Sequence, residues 1–208
     1  MNVSHSSWNA ISPEVAAKYL DGHGHPCPVS KEILCRLLRH YCPDSSNHVL
    51  DMGCGNAHLF GALREMGLGC RYTGIDVSEP LLAAARQRYG NELSFGLIHS
   101  DVNYPEKLPG ACDVAIYSHV LEMIESPESS LQLVRKVASK IIIRFFEPPD
   151  YDCDSVELRV QDLGAGLVPY LRRKMSHDHY RLILSRLRCR RVDIYRAPSK
   201  DQVHVLHF

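Results

Sequence analysis

The chain has 208 residues, 45% of them hydrophobic, which is enough to bury one substantial core and short for two independent ones. Its 24 basic and 24 acidic side chains cancel, which excludes a global electrostatic pull toward nucleic acid or an anionic membrane. Eight cysteines without a single CxxC pair read as reduced thiols in a cytosol, and neither a signal peptide nor a run near the ~18 apolar residues of a membrane span is visible, so a cytoplasmic single-domain protein is expected.

In chain order, ISPEVAAKYLDG and SKEILCRLLRHY predict two helices, parted by HGHPCPV, which is too rich in proline and glycine to be helical. This N-terminal arm, 1–46, is placed to act as a lid over a ligand edge, with Trp8 and Tyr19 as its aromatic contacts. From residue 47 strand-like and helix-like segments alternate: NHVLDM, HLFGALREMG, RYTGIDV, SEPLLAAARQRYG, LSFGLIHSDV, CDVAIYSHV, SPESSLQLVRKVAS and KIIIRFF. Such alternation predicts βαβ units on a parallel sheet. Ser78 with Pro80, and Ser126 with Pro127, start helices just past the ends of strands.

The segment 148–180 is expected to supply contacts to a second ligand through Tyr151, Asp152, Asp154 and Tyr170, with Gly164 and Gly166; a plain surface excursion is the alternative. The end, 181–208, predicts the rest of a last helix, HDHYRLILSRLRC, and a hairpin of RRVDIYRA and QVHVLHF across PSKD, which adds an antiparallel strand to the sheet.

Ligands of open α/β sheets bind at the carboxyl ends of the strands. At the first such end stands VLDMGCGNAHLF, residues 49–60, with Gly53 and Gly55 but His58 where a dinucleotide fingerprint wants a third glycine. Asp51 beside this turn repels a pyrophosphate and attracts an ammonium or a sulfonium. The second strand ends in Asp76, suited to the two hydroxyls of a ribose, and the third in Asp101, suited to an exocyclic amine such as that of adenine. A cationic amino-acid tail, a ribose and an adenine describe S-adenosylmethionine.

With VLDMGCGNAHLF, YTGIDVS, GLIHSDV and DVAIYSHVLEMI in this order and spacing, the chain resembles the class I S-adenosylmethionine-dependent methyltransferases, closely over residues 47–147. The resemblance implies a Rossmann-like α/β fold, a seven-stranded, mostly parallel sheet with an antiparallel C-terminal hairpin strand and helices on both faces. It implies that Asp51 and the backbone of Gly53, Cys54 and Gly55 hold the methionine part, that Asp76 with Val77 holds the ribose, and that Asp101 and Val102 flank the adenine. Ser118 and His119 would line the cofactor near its sulfur, and Tyr19 would close over it. The family's frequent SxxLEH segment stands here as SHVLEMI, with Met123 in place of a second histidine. EPPDY at 147–151 follows the fifth strand, so it is not the stretch that planar-nitrogen methylating enzymes carry after the fourth.

Methyl transfer needs an aligned nucleophile more than an acid–base apparatus. For a hydroxyl acceptor, His119 and Glu147 are the candidates to remove the proton. The acceptor is expected to be an oxygen or nitrogen of a small metabolite, specialised metabolism included, and S-adenosylhomocysteine would be the product. His23, His25 and Cys27, with His177 and His179, match no zinc spacing, so no metal is expected. The basic run 171–191 reads as a solvated helix face, which makes nucleic acid a poor partner; an RNA or protein methyltransferase using that run is the alternative. An NAD-type or non-catalytic nucleotide-binding protein of the same fold, and a homodimer, stay open.

Overall fold

A computed structural model of the chain describes residues 11–14, 16, 29–162 and 167–208. Trp8, Tyr19, His23, His25, Cys27, Gly164 and Gly166 lie outside the described residues, as does most of the expected lid. Pro13, Glu14 and Ala16 are helical, in agreement with the first predicted helix as far as it is described.

Helix α1 (Val29–Tyr41) leads into strand β1 (His48–Met52), α2 (His58–Glu65), β2 (Arg71–Asp76), α3 (Glu79–Tyr89), β3 (Phe95–His99), β4 (Cys112–Ser118), α4 (Pro127–Arg135) and β5 (Ala138–Phe145). Then come β6 (Ser155–Asp162), β7 (Leu167–Lys174), α5 (His177–Arg186), β8 (Arg191–Arg196) and β9 (Gln202–His207). Seven strands form one sheet in the order β3-β2-β1-β4-β5-β9-β8. All neighbours are parallel except β9, which runs against both β5 and β8. The chain starts at β1, moves outward to β3, then returns to lay β4 against the free side of β1. That reversal opens a crevice beyond the carboxyl ends of β1 and β4.

A strand covered on both faces reads as a continuous apolar run, and β5 shows why. Ile141 and Ile143 pack with Leu131 and Val134 of α4 and Tyr180 and Ile183 of α5. Ile142, pointing the other way, packs with Leu34 and Leu38 of α1, Phe60 and Leu63 of α2 and Leu82 of α3. All three isoleucines are fully buried, each contributing about 1.5–3 kcal/mol relative to exposure. Helices therefore cover both faces. Phe60, Tyr72 and Phe95 add a ring cluster at one edge, with Tyr72 stacked on Phe95 at 5.7 Å between centroids.

Between β5 and α5 the sequence analysis assigned no element, and the structure has a separate antiparallel hairpin of β6 and β7. The alternation Val156, Leu158, Val160 against Glu157 and Arg159 is the period-two signal of these strands. Among the described residues no helix is long and apolar enough to cross a membrane, and the seven cysteines are free.

Candidate active site

The turn after β1 is built from backbone that few side chains tolerate. Gly53 has φ +73°, and its N–H and that of Cys54 donate to Ile75 O at 2.7 and 3.0 Å, folding the turn over the end of β2. A Cβ at Gly53 would lie 2.5 Å from Val120 Cγ2, so the position requires glycine for both conformation and room. Gly55 follows at φ +55°, and its N–H donates to Asp76 Oδ2 at 2.7 Å.

Two carboxylates stand side by side in the wall this turn makes. Asp51 is 3% exposed and accepts the hydroxyl of Tyr72 at 2.6 Å. Burial pushes its carboxyl up to about 7; the Tyr72 bond opposes that rise, the charge of Asp76 adds to it, and Lys31 opposes it. Asp76 is also raised by burial, against the pull of the backbone N–H groups of Ser78, Gly55 and Val77. Two acids held in so dry a place complement a ligand that brings positive charge and hydroxyl donors.

Across the crevice β4 ends in Ser118 and His119. His119 is a non-glycine residue at φ +58°, its N–H donates to Arg144 O at 2.8 Å, and its ring meets Phe146 edge-on at 5.6 Å. Such a conformation is held by its surroundings and is common at functional sites. His119 Nε2 lies 3.3 Å from Asp201 Oδ2, in ion-pair reach but off the line of a good hydrogen bond. Glu122, 5% exposed, accepts the N–H of Phe146 at 2.6 Å and of Glu147 at 3.1 Å on Oε1. Its Oε2 is buried with no partner, and burial raises this carboxyl.

These walls enclose a cavity of about 540 Å³, within the range of small-ligand sites. Of the predicted residues, Asp51, Gly53, Cys54, Gly55, Asp76, Val77, Val102, Ser118 and His119 line it together. Cys54 is buried and its thiol is held well above the usual range, which makes it a packing residue and not a nucleophile.

Asp101 and Glu147 are not among the residues that line this cavity. Asp101 Oδ1 accepts from the N–H of Asn103 at 2.8 Å and from Asn103 Nδ2 at 2.9 Å, a short-range turn that draws the carboxylate into its own loop. Glu147 accepts the Tyr151 hydroxyl at 2.6 Å and faces Arg172 Nη1 at 3.8 Å, in a neighbouring cleft with Asp150 and Lys200. Phe146 lines the cavity, while Glu147, in the bend that follows the end of β5, lines the neighbouring cleft.

Sequence reading missed Lys31 and His58, which meet at 3.0 Å on the cavity wall, and also Glu122 and Arg144. Glu122 was within sight as the acid of SHVLEM. Lys31 had no signal, because only folding brings α1 to the ends of the strands. Val156, Tyr170, Leu171 and Arg173 of the β6–β7 hairpin complete the lining. Of the four polar residues expected to shape this segment, only Tyr170 reaches the cavity; Asp154 instead accepts from Ser176 N and pairs with His179.

The basic run is largely engaged within the molecule. Arg172 lies over the Phe146 ring at 4.2 Å, Arg173 donates to Glu125 O, Lys174 pairs with Glu157, Arg186 with Glu128 and Arg191 with Asp193.

A family model described as a methyltransferase domain matches residues 50–140. The ubiquinone biosynthesis O-methyltransferase of Albidiferax ferrireducens is 25% identical over 167 residues, 79% of this chain and 65% of its own length, so the chain spans just under two thirds of that relative. The CcbJ methyltransferase of Streptomyces caelestis superposes with a TM-score of 0.69 at 13% identity, covering 98% of both chains. Magnesium protoporphyrin IX methyltransferase of Synechocystis PCC 6803, solved with bound SAM, does so with a TM-score of 0.59 at 17% identity, over 86% of this chain and 79% of its own.

Proposed function

We propose that the chain is a class I S-adenosylmethionine-dependent methyltransferase, that its cavity holds that cofactor and that it methylates an oxygen of a small acceptor, a reading supported by the methyltransferase-domain match. The observation that carries the reading is the pair of buried carboxylates, Asp51 and Asp76, beside the glycine turn on the cavity wall. An anionic pyrophosphate would meet repulsion there.

When bound, the cofactor supplies a methyl group on a positively charged sulfur, which the lone pair of the acceptor takes as the carbon–sulfur bonding pair stays on sulfur. Asp51 would take the ammonium of the amino-acid tail, and Lys31 would offer a cation to its carboxylate. Asp76, fixed by Gly55 N and Ser78 N, would accept the ribose hydroxyls. Val102, Ser118 and His119 line the same cavity, where the first would flank the adenine and the other two the reacting atoms. The hairpin residues Val156 and Leu171 would present apolar surface to the acceptor. His119 receives the proton of a hydroxyl acceptor. The relative from ubiquinone biosynthesis is an O-methyltransferase by name, which supports oxygen over nitrogen.

Calorimetry with S-adenosylmethionine and with NAD tests the cofactor: NAD binding in the micromolar range without S-adenosylmethionine binding would end this reading. A labelled methyl group offered to a cell extract, then separated into small-molecule, RNA and protein fractions, tests the acceptor. Label is expected in the first fraction as a methyl ether or ester.

A further inference from the structure

We infer that Asp201, in the turn between β8 and β9, is a positioning residue that presents Nδ1 of His119 to the acceptor as a bare lone pair. The inference rests on the oxygen acceptor proposed above and deepens it.

Asp201 is 7% exposed, and one oxygen collects donors from three parts of the fold. The Ser30 hydroxyl of α1 donates to Oδ2 at 2.5 Å and Arg144 Nη2 of β5 at 3.1 Å, while His119 Nε2 after β4 stands at 3.3 Å. Arg144 closes the brace through Nε to Ser30 Oγ at 2.9 Å and through Nη1 to Ser118 Oγ at 3.3 Å. Burial raises the Asp201 carboxyl, but its contacts with His119, Ser30 and Arg144 outweigh that rise and bring it to about 2, so it is ionised across the physiological range.

An ionised carboxylate only accepts, so the pair closes into a hydrogen bond only with the hydrogen on Nε2. Nε2 is sealed from solvent and lies 3.3 Å from Asp201 Oδ2 without a formed hydrogen bond. His119 lines the cavity, so Nδ1 is the nitrogen left for an acceptor. The long Nε2 contact suits a catalytic pair that tightens when its partner binds. Glu122 and Arg144 are the other charged groups in electrostatic or backbone contact with this residue. In the step itself the O–H bond of the acceptor breaks, its electron pair stays on oxygen for the bond to carbon, and the proton passes to Nδ1. The imidazolium so formed keeps Nε2–H toward Asp201.

Nitrogen-15 histidine spectroscopy tests the arrangement without an acceptor, with His119→Gln assigning the signal. The wild-type chain is expected to show the Nε2–H tautomer at His119. In Asp201→Asn, Ser30 and Arg144 claim the amide oxygen and turn the NH₂ toward the ring, so the tautomer should move to Nδ1–H. Label transfer into the small-molecule fraction should then fall roughly 100-fold or more, with the Kd for S-adenosylhomocysteine within about twofold of wild type, and Asp201→Glu should recover part of the rate. A wild-type Nδ1–H tautomer, or an Asp201→Asn chain with an unchanged tautomer and rate, overturns the role of Asp201. Absence of S-adenosylhomocysteine binding or of any transfer by the wild type would instead sink the proposed function, and the tautomer would still decide on Asp201.

Discussion

Asp51 is the residue in which the sequence pattern and the physical environment add up to a measurable property. A carboxyl in apolar surroundings is raised because the charged form loses its water, and at about 7 Asp51 is protonated in a good share of free molecules near neutral pH. A cationic ligand favours the ionised form, so binding below that value has to expel the proton first. Affinity for S-adenosylmethionine is therefore expected to rise from about pH 6 to about pH 7, by up to roughly tenfold, in calorimetry at fixed ionic strength. Asp51→Asn should flatten the profile and weaken binding by about 1.5–3 kcal/mol, the worth of a charge-assisted bond. At this scale the sequence was informative because Asp51 and Asp76 stand at the carboxyl ends of their strands. It said less about Asp101 and Glu147, whose carboxylates accept from Asn103 and from Tyr151 in their own loops.

At the scale of elements, the β6–β7 hairpin and strand β9 make separate predictions. Val156 and Leu171 line the cavity from an element with no counterpart among the cofactor-binding strands. The double variant Val156→Ser with Leu171→Ser should slow label transfer at limiting acceptor by roughly tenfold, through loss of apolar contact, and leave the Kd for S-adenosylhomocysteine within about twofold. Comparable weakening of both would place the hairpin over the cofactor instead. On β9, His204 is buried against Tyr180 and Gln202, and burial pushes it down to about 4. A histidine whose folded value lies below its unfolded one stabilises the fold above about pH 6.5, and that stability is lost as pH falls toward 4. Urea unfolding at pH 7 and at pH 5 should show the gap between wild type and His204→Gln narrowing by about 1–2 kcal/mol at the lower pH.

Over the whole molecule, charge is balanced in sum and largely paired in place. The run 171–191 looks like a phosphate-binding stripe only while its partners are unknown, because Glu125, Glu128, Glu157 and Asp193 come from other segments or from beyond its end. An unrelated RNA hairpin in filter binding at 0.15 M salt is expected to show a Kd of roughly 10⁻⁴ M or weaker, the non-specific limit. Tight binding that falls steeply with salt would instead revive the RNA methyltransferase reading.

The order of strands and helices outside the β6–β7 hairpin, the glycine turn and the acids at strand ends were determined by sequence alone, because they are set by periodicity, chain stiffness and residues a few positions apart. The partner of His119 was decided only by the tertiary structure. Asp201 is 82 residues away in a turn that reads as an ordinary PSKD, and it reaches His119 because β9 inserts antiparallel beside β5. The same holds for Lys31 and the apolar hairpin wall. No local pattern encodes such meetings, since they arise from how separate faces are buried against one another.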